Sequence, residues 1–290
     1  MADDNDLIRL LIGDDIDHEH GPSRTRSLIE CARRVYLNEL QESVGEQNIL
    51  TPAFEARNVG TIVHKLTEMH HIGRDPEEAV PLRADNPDLD VLLNGPMKRG
   101  CSAWELFNKY ADEFPGWFWG NLIAAEAAMD VPFQMKNGNI IKRSMRADAL
   151  FEMDAQTLDR VNRRFGLSME TPGLMIWDLK TATSKDDNMV YNYEWDPQPV
   201  QYMVVAEQLG YRPQGMIIFR AIRYKTDRQE RFYAVYLDRE DLLSGEALHR
   251  FNLDLEESQQ NEIENKPNRR HCMAYNHPCP HRVSGVCNGT

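Results

Sequence analysis

Two charged residues close an otherwise apolar run, GLMIWDLK, over residues 173–180: Asp178 and Lys180, with Leu179 between them. Successive side chains alternate across a strand, so the acid and the lysine emerge on one face with Ile176. Leu179 joins Met175 and Trp177 on the other. Taken alone, the triplet is also what a solvated strand end with a surface ion pair looks like. A second carboxylate changes the chemistry available. In IIKRSMRADAL, alternation puts Ile140, Lys142, Ser144, Arg146 and Asp148 on one face, with Asp148 near the end of its strand. If the two strands are neighbours, two carboxylates and an ammonium meet. Like charges so close need neutralising, and a divalent cation such as Mg²⁺, which takes carboxylate, carbonyl and water oxygens, does this. A lysine there can orient an attacking water or help deprotonate it, while the cation polarises a phosphoryl oxygen.

A second group of chemistry-bearing residues lies near the C-terminus. The tail RRHCMAYNHPCPHRVSGVC carries Cys272, Cys279 and Cys287, and Cys31 and Cys101 complete the five cysteines. In an intracellular protein, three thiolates this close suggest a metal site rather than a disulfide framework. They want a fourth ligand for either zinc or an iron–sulfur cluster. One of His271, His277 and His281 could supply it locally, or Cys31 in SLIECARRVYL could supply it from a distance. Cys101 reads as a plain helix residue.

Positioning these groups needs an ordered scaffold. Residues 1–22 read as a loose acidic arm. Helical spacing follows over 23–40 and over about 52–71, the latter with Val59, Ile62, Val63, Leu66 and Met69 inward. Residues 72–97 read as a loop, and 100–112 and 117–128 as helices separated by Pro115-Gly116. Two alternating runs around Asn137-Gly138 predict a hairpin. A connector leads to the GLMIWDLK strand, and a polar loop leads to a helix at about 197–209. Two more strands, GMIIFRAIRY and RFYAVYLD, precede a long charged helix at about 239–262. Helices on both sides of a strand-rich centre predict an α/β class with a mixed sheet. The chain divides into a mainly helical part (23–128), a sheet core (129–238) and a helix with the Cys-rich tail (239–290), all within one domain from residue 23.

The chain has 290 residues, 41% of them hydrophobic, enough for a substantial core. It shows no apolar run long enough to span a bilayer, and its acidic start is unlike a signal peptide, so an intracellular, cytoplasmic protein is expected. The 33 basic and 46 acidic residues give a net charge of −13, which disfavours non-specific coating of nucleic acid. Phosphate binding depends on the local field, however. Lys136, Lys142, Arg143 and Arg146 lie in an acid-free stretch, and Arg220, Arg223, Lys225, Arg228 and Arg231 form a second basic segment.

In this order and on these elements, the motifs resemble those of the PD-(D/E)XK nuclease superfamily. The likeness is to its RecB-like branch and to the CRISPR-adaptation and phage exonucleases that carry an iron–sulfur cluster. The family's helical G-x-x-x-H is matched by Gly60 and His64 in GTIVHKLTE, its first acid by Asp148, and its D-x-K by Asp178–Lys180. Its Q-x-x-x-Y is matched by Gln198 and Tyr202, which share a helix face at i and i+4, with Gln201 as the neighbouring alternative. The resemblance implies that His64, Asp148, Asp178 and the backbone carbonyl of Leu179 ligate Mg²⁺ or Mn²⁺. Lys180 would serve the attacking water, and Gln198 and Tyr202 would position the lysine or the DNA backbone. Glu126 would be an additional acid just before the hairpin. The family often has glycine three residues before the first acid, where this chain has Met145. The resemblance also implies a 4Fe–4S cluster on Cys31, Cys272, Cys279 and Cys287, with zinc as the alternative. The expected activity is a metal-dependent deoxyribonuclease, more an exonuclease than an endonuclease, acting on single strands or duplex ends beside recombination, replication or CRISPR-adaptation proteins. A DNA-binding or partner-docking module that keeps the fold without catalysis is the competing reading, and a zinc-stabilised protein of unrelated function is a third.

Overall fold

The computed structural model describes residues 52–79, 93–94, 100–135, 138, 140–185, 193, 196–224 and 230–264. The acidic arm, the helix expected at 23–40, and Cys31, Cys272, Cys279 and Cys287 lie outside the described residues. In chain order the elements are α1 (Pro52–His71), a 3₁₀ turn (Pro76–Ala79), α2 (Ala103–Glu113), β1 (Asn121–Gln134), β2 (Ile140–Met153) and α3 (Ala155–Phe165). There follow β3 (Gly173–Ala182), α4 (Pro197–Gln208), β4 (Gly215–Ile222), β5 (Phe232–Asp238), α5 (Arg239–Leu242) and α6 (Gly245–Glu264).

Among the described residues, five strands form one mixed sheet in the order β1-β2-β3-β4-β5. Only β3 and β4 run parallel, with α4 as the crossover between them, as a parallel pair requires. Buried on both faces, these two strands read as continuous apolar runs rather than strict alternations. On one face Met175, Trp177, Leu179, Ile217 and Phe219 pack with α1, α2 and α3 in an aromatic-rich core. On the other, Ile176, Met216 and Ile218 pack with Val200 and Met203 of α4 and Phe251 of α6. The result is the expected α/β class, three layers deep.

Three sequence expectations need correction. Residues 117–128 are not a helix: the chain is a strand from Asn121 onward. NLIAAEAA is rich in good helix formers, but pairing with β2 along its length overrides that preference. The stretch after β2 is also more than a connector, since it contains α3. Its signals were in the sequence: Asp154 caps the N-terminus by accepting from the Thr157 N–H, and Gly166 ends it in the left-handed conformation. The long C-terminal helix is broken at residues 243–244 into α5 and α6.

Candidate active site

The site lies where β2 parts from β3. The antiparallel register ends at Ala149 opposite Trp177, so Asp148 and Asp178 are the next residues on their strands. In place of a further ladder bond, the Leu179 N–H donates to Asp148 Oδ2 at 2.6 Å. In extended backbone the N–H and C=O of a residue point to the same edge, so the Leu179 carbonyl also faces the gap that β2 leaves. Asp178 and Lys180 share the face of Ile176, with Leu179 opposite, as alternation predicts.

Helix α1 brings His64 from the aromatic face. Its Nδ1 lies 3.1 Å from Asp148 Oδ1. One turn earlier, Gly60 explains how the helix comes so near: a Cβ there would sit 2.8 Å from Thr181 Oγ1 on β3. The glycine of the G-x-x-x-H motif is thus a contact between the histidine's helix and the D-x-K strand.

Glu126 lies within β1, not before it, and the register between Ala125–Ala149 and Ala127–Ala147 sets it opposite Asp148. Its φ is +47°, and it follows a register shift in β1 between Leu122 and Ala124. A side chain in this region costs of order 1–3 kcal/mol, held in place by its surroundings. The distortion re-aims the carboxylate. One donor atom each from His64, Glu126 and Asp148 lies within 4.8 Å of the others, and Glu126 Oε2 also accepts from Arg146 Nε.

On the other side of the sheet, α4 ties the site down. Asp196 and Pro197 start the helix, with the Asp196 side chain accepting from the Gln198 N–H. Gln198 Nε2 donates to Asp178 Oδ1 at 3.3 Å and to the Tyr202 hydroxyl at 2.9 Å. That hydroxyl donates to the Arg146 carbonyl at 2.7 Å. Gln201, the alternative to Gln198, is buried and donates to the Ser144 carbonyl away from these carboxylates. Met145, where the family often has glycine, is buried in the second core.

Charge is concentrated here. Lys180 Nζ lies 2.8 Å from Asp178 Oδ2. Burial would lower the lysine's pKa, but the Asp178 carboxylate more than offsets this and holds it an ammonium. Burial, with Asp148 nearby, pushes Asp178 up to about 6 even with Lys180 beside it. Burial would also raise Asp148, yet His64, Lys180 and the Leu179 N–H bring it below the ordinary range. Burial opposes protonation of His64, and Asp148 overcomes it. Glu126 is raised by burial and by Asp148. A divalent cation fits this set: an imidazole and two carboxylates converge in a half-buried pocket. Asp178 is outside the converging trio, its oxygens turned to Lys180 and Gln198.

A model of the PD-(D/E)XK nuclease superfamily matches residues 21–288. The chain belongs to that superfamily. Members are typically metal-dependent nucleases, and among the described residues the His64–Glu126–Asp148 trio is a group that could hold a metal ion. Among solved structures, a candidate exonuclease from Eubacterium rectale aligns with TM-score 0.51 at 12% identity, covering 93% of each chain. SSO0001 aligns with TM-score 0.45 at 15% identity, covering 100% of this chain and 98% of the other. None of the curated proteins matches the chain in sequence. Among the described residues, no helix is long and apolar enough to cross a membrane.

The second basic segment is partly unavailable to this PD-(D/E)XK site. Arg223 and Arg231 are buried, and donate to the Cys101 carbonyl and to Cys101 Sγ and the Tyr224 carbonyl, respectively. Cys101 precedes α2 rather than lying on it, and serves as an acceptor in this network. The sequence placed Arg146 only in a basic stretch suited to phosphate and gave Glu126 a marginal role. Arg146 shares parity with Asp148 along β2, a signal that was present. The conformation of Glu126 left no signal, because neither it nor its neighbours are residues that favour positive φ.

Proposed function

We propose that the protein is a divalent-metal-dependent deoxyribonuclease that hydrolyses phosphodiester bonds, working from the ends of single strands or duplexes. The meeting of His64, Glu126 and Asp148 beside the Asp178–Lys180 pair carries the reading. Asp148, Glu126 and His64 would hold Mg²⁺ or Mn²⁺, with Asp178 and the Leu179 carbonyl as further ligands, and the cation supplies Lewis-acid polarisation of the scissile phosphoryl group. The chain's own groups do the rest. Lys180, kept charged by Asp178, orients the attacking water and offsets charge that builds on the phosphoryl oxygens. Water oxygen bonds to phosphorus in line with the bond to the 3′-oxygen, which breaks. The water's proton passes to solvent, and the leaving oxygen takes one up. Gln198 and Tyr202 fix Asp178, and through it the lysine, against α4.

End-directed cutting follows the likeness to the Eubacterium rectale candidate exonuclease, a likeness of fold. Membership of the RecB-like branch rests on the order of G-x-x-x-H, D, D-x-K and Q-x-x-x-Y. By the same resemblance Cys31, Cys272, Cys279 and Cys287 would hold a 4Fe–4S cluster, or zinc, within a single domain from residue 23. An intracellular setting with recombination, replication or CRISPR-adaptation partners is part of this reading.

The test is degradation of end-labelled single-stranded DNA with Mn²⁺ or Mg²⁺, comparing anaerobically purified wild type with Lys180→Ala. Wild type is expected to shorten the label progressively, and the variant to lose at least about 10²-fold in rate. Visible absorbance and metal content of the same samples separate iron–sulfur from zinc. Equal inertness of both proteins on single strands, duplex ends and flaps would sink the enzyme and favour a docking module.

A further inference from the structure

We infer that Arg146 is the stand-in cation for Glu126 while the metal site is empty, and the grip on the substrate phosphate once the metal has taken Glu126. This rests on the nuclease reading of the same site. Arg146 lies on β2 two residues before Asp148, and its Nε is ion-paired with Glu126 Oε2. That carboxylate, aimed by a strained backbone, also faces His64 and Asp148 within 4.8 Å. One carboxylate therefore faces both the guanidinium and the trio that would receive a divalent ion. Two cations cannot share a half-buried carboxylate without repulsion, so metal and arginine compete for it.

The rest of the arrangement favours release of the side chain rather than movement of the strand. The backbone of Arg146 is pinned, since its carbonyl accepts from Tyr202, which is joined through Gln198 to Asp178. The side chain is 34% exposed against 15% for Glu126, so it borders solvent. A freed guanidinium two residues from Asp148 presents a planar fork that matches phosphate oxygens. Lys180 is paired with Asp178 rather than with a member of the trio. Metal filling and DNA binding are then linked: each favours the released arginine, and each strengthens the other.

The experiment is calorimetric titration of Mn²⁺ into the full chain without DNA. Removing the competitor in Arg146→Gln should tighten Mn²⁺ binding by about 5-fold or more, the lower end of ordinary coupling. In Glu126→Gln the same arginine substitution should leave Mn²⁺ affinity unchanged. Arg146→Lys, which keeps the charge but not the fork, should hold Mn²⁺ affinity near wild type. In a Lys180→Ala background it should weaken binding of a fluorescent single strand several-fold. Equal or weaker Mn²⁺ binding by Arg146→Gln, with wild-type melting temperature, overturns the exchange and leaves the nuclease reading standing. If Arg146→Gln does not fold, loss of Mn²⁺ affinity in Arg146→Lys without loss of DNA affinity overturns it instead. Wild type that takes up no Mn²⁺ overturns both.

Discussion

Asp178 is nearly fully buried, yet both of its oxygens are engaged by charged or polar groups, and the chain of contacts runs on through Gln198 and Tyr202 to β2. The Tyr202 hydroxyl joins helix to strand, accepting from one and donating to the other. Tyr202→Phe deletes both bonds and leaves a strand carbonyl without its partner, which costs about 1–2 kcal/mol. Urea unfolding should show a lower midpoint with unchanged slope, and an unchanged midpoint would mean that water replaces the hydroxyl. Most of this layer was legible. Asp178 and Lys180 announce themselves by closing an apolar strand, and Gln198 and Tyr202 by sharing a helix face. Glu126 was harder, because its contribution depends on a backbone conformation that only glycine or asparagine would have advertised.

Among the elements, α1 and β3 meet at a point where helix propensity and packing disagree. Replacing a helix-interior glycine by alanine ordinarily stabilises by up to about 1 kcal/mol. At Gly60 the added Cβ meets Thr181 Oγ1, so Gly60→Ala should instead destabilise, by about 1–2 kcal/mol on the scale of overpacked contacts. It should also lower cleavage by displacing His64. Thr181→Ala removes the offending hydroxyl, and the double variant should recover both melting temperature and rate. A Gly60→Ala protein more stable than wild type would mean the helix is not held this closely. The meeting of the two acids rested on a single conditional, that the Asp148 and Asp178 strands are neighbours, and β2–β3 pairing meets it. The misread at 117–128 has the opposite cause: an Ala/Glu-rich stretch carries helix propensity, and only pairing along the whole of β2 makes it a strand.

For the whole molecule, the layering sets a histidine in the aromatic core. His71, at the end of α1, is packed edge-on against Phe151 and Trp177, and its Nε2 lies 2.6 Å from the Tyr110 hydroxyl. Burial, with His70 adjacent, depresses its pKa from 6.5 to about 3. The folded protein therefore keeps it neutral while the unfolded chain takes up a proton below 6.5. The stability this represents is fully present above pH 6.5 and is lost as pH falls towards 3, at up to about 1.4 kcal/mol per pH unit. His71→Gln keeps an acceptor for Tyr110 and removes the titration, so its stability should fall less steeply than wild type across that window. Parallel curves would place the proton elsewhere.

The two sides of the site have a consequence for how the protein is made. His64 belongs to the layer over one face of the sheet, Gln198 and Tyr202 to the layer over the other, and the acids to the strands between. A chain leaves the ribosome N-terminus first, so α1 emerges long before the helix that completes the other side. No nascent portion ending before α4 holds a finished site, and a fragment that folds early carries a histidine with nothing to cut. A metal-dependent nuclease made in this order has no complete cutting site until most of its length is free.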